Sequence, residues 1–503
     1  MKFPRSYGTI AHPTSFPSPF GIGDLGPAAR TFIDFLSDSG QSIWQLLPLN
    51  PVGHGYSPYN SYSAFAGNPY LISPELLAGK ELLETAELDE FSQPFKVHAD
   101  FELAFESKNL LLQRASRRFY QRNDLDEQRR LDSFIAENRH WLDDYTLFMT
   151  LLEERNFKPW NRWEEELAAR KGDALARVRN RQSESIRHHQ WLQFEFYSQW
   201  EKLKTEANRK GVRIMGDLPI FVAHNSADVW ANSRYFTITE TGDPIYIAGV
   251  PPDYFSESGQ LWGNPLYDWN ALKEEDYKWW IERFRHNFQL FDLLRVDHFR
   301  GFESFWRVDA GKKDAREGDW IKSPGDQFFA TLNRELGSVP IIAEDLGLIT
   351  PEVRALRDRF SFPGMNVLHF AFDGDPANTF LPHNYRRNSL VYTGTHDNNT
   401  TIGWYQSAPG DVKHRMRVYT RSDGSMPHWE LIRLALFSVS DQALVPLQDY
   451  MGLDSSHRMN TPGTVGENWR WRYSPEMLDR VDLDRIRRLG KESNRLTENS
   501  ASF

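Results

Sequence analysis

The chain has 503 residues, of which 40% are hydrophobic and 25% charged, and its formal net charge is −10. This composition is typical of a folded globular protein and lies outside the ranges of disordered and membrane-spanning chains. Because the sequence contains no cysteine, disulfide frameworks, thiol nucleophiles and thiolate metal sites are excluded. The negative charge disfavours nucleic acid, whose phosphates the average surface would repel.

The N-terminal segment predicts neither export nor membrane insertion. It contains Pro4, Pro13, Pro17 and Pro19 and lacks the apolar run of a secretory signal. No stretch of the chain approaches the roughly 20 apolar residues that a membrane span needs. We therefore expect a cytoplasmic protein that has neither nucleic acid nor a membrane as a partner.

Aromatic residues are unusually frequent: 17 Trp, 19 Tyr and 34 Phe make up 14% of the chain. Aromatic rings fill cores, and they also stack on nucleobases and on the apolar faces of sugars. Because nucleic acid is disfavoured, two interpretations of the aromatic content remain: a large aromatic core and a sugar-binding surface.

Several short apolar runs, rich in β-branched residues, end in Gly, Asp, Asn or Pro and are followed by helix-like periodicity. They are residues 42–49, 212–220, 291–298, 339–346, 367–372 and 390–397. This alternation predicts an α/β fold with a parallel sheet or barrel. The runs are apolar almost throughout, as expected for strands that are buried on both faces.

Residues 79–210 differ in composition from the rest of the chain, since they are charged, rich in Leu and poor in Gly. Near their end, apolar residues recur at steps of three and four, which is typical of an amphipathic helix: Leu192, Phe196, Trp200 and Leu203. We interpret 79–210 as a helical subdomain inserted between the first strand and the next. Residues 1–78 then begin the barrel and 211–503 complete it.

A second interruption, residues 235–269, is rich in Gly, Pro and aromatic residues. We expect it to be an ordered loop without strands, and loops of that length are usually functional.

Residues 21–26 match G-x-G-x-x-G, the dinucleotide-binding pattern. A proline-rich segment precedes the match where a strand is required, and no acidic residue follows about 20 residues later. We interpret these glycines as a turn that begins a helix over 27–36, with Pro27 at its first position.

Carboxylates follow three of the predicted strands: Asp297, Glu344 and Asp397. In a parallel barrel the carboxyl ends of the strands share one face, so these residues are expected to converge. Each also has a structural interpretation. Asp297 could pair with Arg295, Glu344 could cap a helix, and Asp397 could be the N-cap of the segment after it.

Retaining glycosyl transfer is the chemistry that this set favours. It needs one carboxylate nucleophile and one carboxylic acid, with environments that separate their pKa values. Arg295 lies on the same strand face as Asp297 and would keep that carboxylate ionised, whereas the apolar residues before Glu344 would keep it protonated. Asp297 is the candidate nucleophile and Glu344 the candidate acid/base. A metal-dependent barrel hydrolase is the competing interpretation, although the sequence has no H-x-H ligand pair.

The three carboxylate segments, Arg295-Val-Asp297-His298-Phe299, Ala343-Glu344-Asp345-Leu346-Gly347 and His396-Asp397-Asn398, resemble the hallmark motifs of the α-amylase clan. Further segments narrow the resemblance to glycoside hydrolase family 77, the 4-α-glucanotransferases. They are Ser57-Pro-Tyr59, Gly216-Asp217-Leu-Pro, Ala248-Gly-Val-Pro-Pro-Asp253-Tyr-Phe, Gly259-Gln260-Leu-Trp262-Gly-Asn264 and Arg458-Met-Asn460-Thr-Pro-Gly.

The resemblance implies a (β/α)8 TIM barrel with helical insertions between early strands, acting on α-1,4-glucans with retention. By motif position Asp397 would be the third catalytic carboxylate. The other matched positions would bind substrate: Tyr59, Asp217, Tyr254, Gln260, Trp262, Arg295, His298, His396 and Asn460. Tyr59 would stack on the sugar being cleaved, and residues 248–262 would form a lid that carries Tyr254, Phe255 and Trp262.

The resemblance also implies that maltodextrin donors and glucose or maltooligosaccharide acceptors are the partners, and that neither a cofactor nor a metal is needed. A lid and aromatic platforms would favour a sugar acceptor over water. Two alternatives stay open at this point. A hydrolase of the same clan would share the carboxylates, and a non-catalytic glucan-binding protein would keep the aromatic residues.

Overall fold

The structure, a computed structural model, describes residues 3–252, 257–464 and 466–496. Its strands, numbered in chain order, are β1 Ser6–Ile10, β2 Ile43–Gln45, β3 Arg213–Pro219, β4 Tyr246–Val250, β5 Gln260–Pro265, β6 Leu293–Asp297, β7 Ser304–Asp309, β8 Asp319–Lys322, β9 Ile341–Ala343, β10 Gly364–Val367, β11 Ser389–Tyr392 and β12 Gln442–Pro446.

Among the described residues, eight of these strands form one parallel sheet in the order β10-β11-β12-β1-β2-β3-β6-β9. Once β4, β5, β7 and β8 are set aside, neighbours in this order are also consecutive along the chain, except that the last strand, β12, pairs with the first, β1. The two outer strands meet where the Ala343 N–H donates to the Pro363 carbonyl at 2.9 Å. The sheet therefore closes into the predicted (β/α)8 barrel.

That closing seam depends on side chains. Oδ1 of Asp345, the residue after Glu344, accepts the Met365 N–H at 2.7 Å, while its Oδ2 is paired with Arg357. Arg357 lies on the helix that connects β9 with β10. A buried carboxylate thus adds a second hydrogen bond at the seam, beside the backbone bond from Ala343 to Pro363.

The α-helices of the described residues are α1 Pro27–Asp38, α2 Pro74–Gly79, α3 Thr85–Phe91, α4 Phe101–Gln121, α5 Leu125–Glu154, α6 Glu165–Ala168, α7 Gly172–Arg181, α8 Ser183–Arg209, α9 Ala227–Ala231, α10 Trp269–Glu274, α11 Lys278–Leu290, α12 Gly325–Leu336, α13 Pro351–Arg359, α14 Thr401–Ser407, α15 Gly410–Thr420, α16 Pro427–Phe437, α17 Leu447–Tyr450, α18 Pro475–Asp479 and α19 Leu483–Glu492. No described helix is long and apolar enough to cross a membrane.

Helices occupy most of residues 79–210, between β2 and β3. The long helices α5 and α8 pack against each other, and the four apolar residues whose spacing predicted a helix are all buried on α8. Helix α1 begins at Pro27 as expected and extends two residues past the predicted end.

The glycine-rich segment 21–26 is structural. Asp24 Oδ1 accepts the Gly26 N–H at 3.0 Å just before α1, and Asp24 Oδ2 pairs with Lys108 Nζ at 2.8 Å. Lys108 lies on α4 and is fully buried, so this ion pair fixes the inserted helices to the first turn of the barrel.

Strand alternation directs polar groups into the barrel. On β6, Leu294 and Val296 join the large core under the helices, whereas Leu293 belongs to the interior cluster with Met215 and Ile342. Arg295 and Asp297 follow Leu293 at steps of two, so they face the interior at its carboxyl end.

The sequence-based prediction missed β1 and β12, and it placed β10 too late. The strand expected over 367–372 is wrong, since β10 ends at Val367 and a 3-10 turn follows over Leu368–Phe370. Gly8 interrupts the β-branched pattern of β1 because the strands approach closely there. A Cβ at this position would lie 1.9 Å from the Ile43 carbonyl oxygen.

The expected strandless loop over 235–269 is also wrong, since it contains β4 and β5. These strands pair with β7 and β8 in an antiparallel sheet ordered β5-β4-β7-β8. Gly and Pro concealed the strands, and a register shift between Ile247 and Gly249 removed the regular alternation.

The last described segment is fastened to the barrel by Arg495, which is fully buried. Its guanidinium donates to the carbonyl oxygens of Ser6 at 2.9 Å and Asp441 at 3.0 Å, among others near the start of β12. Burial lowers the pKa of Arg495 to about 9.

We predict that Arg495→Met lowers the thermal midpoint by roughly 5 °C, because the buried carbonyls lose the guanidinium as a donor, and each one left unpaired costs about 1–3 kcal/mol. Calorimetry at a fixed scan rate measures this change. Arg488→Met is the control, since Arg488 is exposed on α19, the helix that precedes Arg495. Equal midpoints for the two variants would contradict the assigned role.

Candidate active site

The predicted carboxylates lie at the carboxyl ends of three barrel strands. Asp297 is the last residue of β6, Glu344 follows β9 directly, and Asp397 lies in the loop after β11. Asp397 is not a helix N-cap, because Thr400 caps α14. The barrel therefore brings residues distant in sequence to one face, as expected from the fold.

Arg295 is the centre of the site. Its Nη1 donates to both oxygens of Asp217 at 2.6 and 2.7 Å, and its Nη2 pairs with Asp297 Oδ1 at 2.8 Å. The side chain of Asp217 is fully buried, whereas that of Asp297 is 28% exposed. Burial lowers the pKa of Arg295, but the Asp217 and Asp297 carboxylates outweigh this effect and raise it well above its ordinary value. Arg295 is therefore a permanent cation that orients Asp297.

Tyr59 and His396 extend this network. The Tyr59 hydroxyl donates to Asp217 Oδ2 at 2.7 Å and lies 2.9 Å from His396 Nε2. Since the hydroxyl has one proton and an ionised carboxylate only accepts, Nε2 of His396 is the donor to the Tyr59 oxygen. The two rings stack at 5.4 Å between centroids with a 17° interplanar angle. Burial, and next the Asp217 charge, raise the pKa of Tyr59 well above its ordinary value.

Glu344 has a different environment. It is 9% exposed, its Oε2 accepts the His298 N–H at 2.7 Å, and its Oε1 accepts the Leu346 N–H at 2.9 Å. Burial, and next the Asp297 charge, raise the pKa of Glu344 to about 8, although Arg295 acts in the opposite direction. Glu344 is thus protonated at neutral pH, which suits a general acid.

His298 adopts a left-handed backbone conformation with φ of 51°. This conformation is costly for a residue other than Gly, and here it directs the His298 N–H at Glu344. Its ring lies edge-on to Trp262, 4.8 Å away between centroids. Gln260 Oε1 in turn accepts from Trp262 Nε1 at 3.2 Å. Burial lowers the pKa of His298 to about 4, so its ring is neutral at pH 7.

Asp397 is held from the opposite side. Its Oδ2 lies 3.4 Å from His396 Nε2, and its Oδ1 accepts from Asn460 Nδ2 at 2.6 Å. Arg458 donates to the Asp397 carbonyl oxygen. With 43% of its side chain exposed, Asp397 is open to the cleft.

Sequence reasoning missed Trp469 as a site residue. Its ring centroid lies 5.8 Å from that of Tyr59 and 6.0 Å from that of His396. No periodic pattern or motif singled it out, because it follows an irregular loop. Of the predicted substrate-binding residues, Tyr254 lies outside the described residues, and so does Phe255 of the expected lid. The described part of the chain contains no group of three or more His, Asp or Glu side chains arranged to hold a metal ion.

The chain folds as a closed barrel of alternating strands and helices, and carboxylates, an arginine and aromatic rings lie at its carboxyl face. These features are typical of a (β/α)8-barrel enzyme that acts on sugars. Comparison with known proteins identifies the enzyme family. The model of glycoside hydrolase family 77, described as 4-alpha-glucanotransferase, matches residues 11–478. The chain belongs to this family.

Curated relatives agree with the assignment. A 4-alpha-glucanotransferase of Synechocystis sp. is 49% identical over 481 residues, covering 94% of this chain and 95% of its own. The enzyme of that name from Thermus thermophilus is 45% identical over 505 residues, covering 99% of this chain and 100% of its own. Among solved structures, the amylomaltase of Streptococcus agalactiae in complex with acarbose superposes with a TM-score of 0.95 at 36% identity, covering 98% of this chain and 100% of its own.

The raised pKa of Glu344 predicts a pH-dependent effect of Glu344→Gln on stability. The folded-state pKa of about 8 exceeds the ordinary 4.5 expected in the unfolded chain. The stabilisation from this proton is fully present below the unfolded-state pKa and is lost as pH rises through the folded-state pKa. Because Gln stays neutral, the variant should gain stability over the wild type between pH 5 and pH 9.

Thermal midpoints of both proteins at the two pH values measure this effect. Glu335→Gln, at an exposed position on α12, is the control and should show the same difference from wild type at both pH values. A Glu344→Gln effect that does not change with pH would contradict the raised pKa.

Proposed function

We propose that this 4-alpha-glucanotransferase cuts an α-1,4 bond by double displacement with retention. Asp297 attacks the anomeric carbon while Glu344 donates its proton to the departing oxygen. Glu344 then takes the proton of an acceptor hydroxyl, which displaces Asp297 and forms the new bond. The observation that carries the assignment is the contrast between the two carboxyls. Asp297 is paired with the cation Arg295, whereas burial raises the pKa of Glu344 to about 8.

The remaining site residues would bind the sugar at the cleavage point. In this proposal Asp397, held by Asn460 and His396, accepts hydrogen bonds from sugar hydroxyls and stabilises the charge that develops on the ring. Tyr59, stacked on His396, provides the platform for the apolar face of the sugar. Asp217 acts through Arg295 and Tyr59, whose orientations it fixes.

Preference for a sugar acceptor over water would come from residues 248–262. In this proposal the segment acts as the lid, with Tyr254 and Trp262 as aromatic contacts and Gln260 and His298 as polar ones. The contact of Trp262 with His298 supports this view, because His298 also binds Glu344 through its N–H. A glucan seated there would exclude water from the acid/base.

For the partners we propose maltodextrin donors, and glucose or maltooligosaccharide acceptors that react through the 4-hydroxyl. The acarbose complex of the similar amylomaltase supports an oligosaccharide ligand for this cleft. We also propose a cytoplasmic role in maltodextrin metabolism. Residues 79–210 would be a helical subdomain whose ion pair to Asp24 holds it against the barrel.

Maltotriose tests the proposed reaction. We expect free glucose together with a ladder of longer maltodextrins, and we expect the total number of reducing ends to stay constant, because each cleavage is matched by a transfer. Chromatography of the products and a reducing-end assay measure both quantities. A steady rise in reducing ends would favour the hydrolase alternative, and unchanged maltotriose would favour a non-catalytic binder.

Removal of the nucleophile tests the mechanism. Asp297→Asn should lower turnover by several orders of magnitude, because the amide cannot form the covalent intermediate. Asp309→Asn, at an exposed position of β7, is the matched control and should leave turnover unchanged. If Asp297→Asn folds normally and retains turnover, Asp297 is not the nucleophile.

A further inference from the structure

A buried carboxylate that the proposed mechanism does not use lies close to the site. Asp449, on the short helix α17, is 1% exposed. Burial raises its pKa, and within the described part of the chain only hydrogen bonds act in the opposite direction, with no contribution from a basic group. A carboxylate buried without a cation is costly, so its hydrogen bonds must compensate.

Those bonds fasten both ends of one segment. Asp449 Oδ2 accepts from the Thr393 hydroxyl at 2.6 Å and from the Thr401 hydroxyl at 2.6 Å, and Asp449 Oδ1 accepts the Thr401 N–H at 2.7 Å. Thr393 directly follows β11, and Thr401 begins α14. The loop between these two threonines carries His396 and Asp397.

The threonine hydroxyls donate to Asp449. The Thr401 oxygen in turn lies 3.0 Å from His369 Nε2. His369 also contacts the loop directly. It packs so tightly on Gly394, within the loop, that a Cβ there would lie 2.8 Å from His369 Nδ1.

The loop also has few internal degrees of freedom. Asn398 Oδ1 accepts both the N–H and the hydroxyl of Thr395, at 2.8 and 2.9 Å, so the backbone on either side of His396 and Asp397 is tied together. A displacement of the loop ends is therefore transmitted to the carboxylate of Asp397 and to the ring of His396.

We propose that Asp449 is a positioning residue for the reaction: through Thr393 and Thr401 it sets the location of Asp397 and His396 at the cleavage point. The proposal rests on the proposed function in one respect, that Asp397 contacts the sugar. It does not depend on whether the acceptor is sugar or water.

The test compares Thr401→Val, which removes the relaying hydroxyl at nearly constant volume, with Thr401→Ser, which keeps it. We expect Thr401→Val to lower kcat for maltotriose consumption at least tenfold and Thr401→Ser to retain it within about threefold, since a misplacement of about 1 Å costs on the order of a hundredfold. Maltotriose binding, measured by calorimetry in a Glu344→Gln background, should be weakened more by Thr401→Val than by Thr401→Ser.

A matched control is Thr420→Val, which removes a buried hydroxyl bonded to the Met416 carbonyl at 2.9 Å on the remote helix α15. Its kcat should equal that of the wild type. If Thr401→Val lowers only the thermal midpoint and keeps wild-type kcat well below that midpoint, the positioning role is overturned. Because consumption counts both transfer and hydrolysis, a hydrolytic wild type would refute the proposed function and leave this comparison valid.

As a second variant, Asp449→Asn replaces the acceptor of two hydroxyls with an amide that offers an N–H in one of the two positions. If the amide NH2 takes the Oδ2 position, both threonine hydroxyls must reverse their direction; if it takes the Oδ1 position, it faces the Thr401 N–H and that hydrogen bond is lost. We expect a loss of kcat similar to that of Thr401→Val. Wild-type kcat in a folded Asp449→Asn protein would also overturn the proposal.

Discussion

The buried bond between Arg295 and Asp217 is the interaction on which the site depends. It lies inside the barrel, where desolvation of either charge alone would be prohibitive, so each residue requires the other. The remaining donor of Arg295 holds Asp297, and the remaining acceptor capacity of Asp217 fixes the Tyr59 hydroxyl and, through it, the proton of His396. One ion pair thereby holds both the carboxylate of Asp297 and the ring of Tyr59 in place.

The two carboxyls that we propose to react, Asp297 and Glu344, differ because their surroundings in the barrel differ. Asp297 receives a cation at 2.8 Å and is partly open to solvent. Glu344 accepts hydrogen bonds from two backbone N–H groups, and burial and the nearby Asp297 charge together raise its pKa to about 8. This difference follows from the two strand ends. Strand β6 ends in Arg-Val-Asp, which places a cation beside Asp297, whereas β9 ends in apolar residues just before Glu344.

Much of this could be predicted from the sequence. Apolar runs locate β3, β6 and β11 because these strands are buried on both faces, and alternation along β6 puts Arg295 and Asp297 on one side. Strands β1 and β12 could not be predicted, since close packing at Gly8 and polar residues at their ends interrupt the pattern. Strands β4 and β5 were hidden by Gly and Pro. The bonds from Asp345 and Asp449 are invisible in sequence, because they join elements that only the closed barrel brings together.

The seam between β9 and β10 has a consequence for how such a barrel varies. At the seam, the backbone bond from Ala343 to Pro363 is supplemented by the carboxylate of Asp345, the residue after Glu344, which accepts the Met365 N–H. Substitutions at position 345 or 357 therefore change the geometry of the ring itself. Because Asp345 directly follows Glu344, such substitutions would shift the backbone that carries Glu344 without changing any residue proposed to bind the substrate.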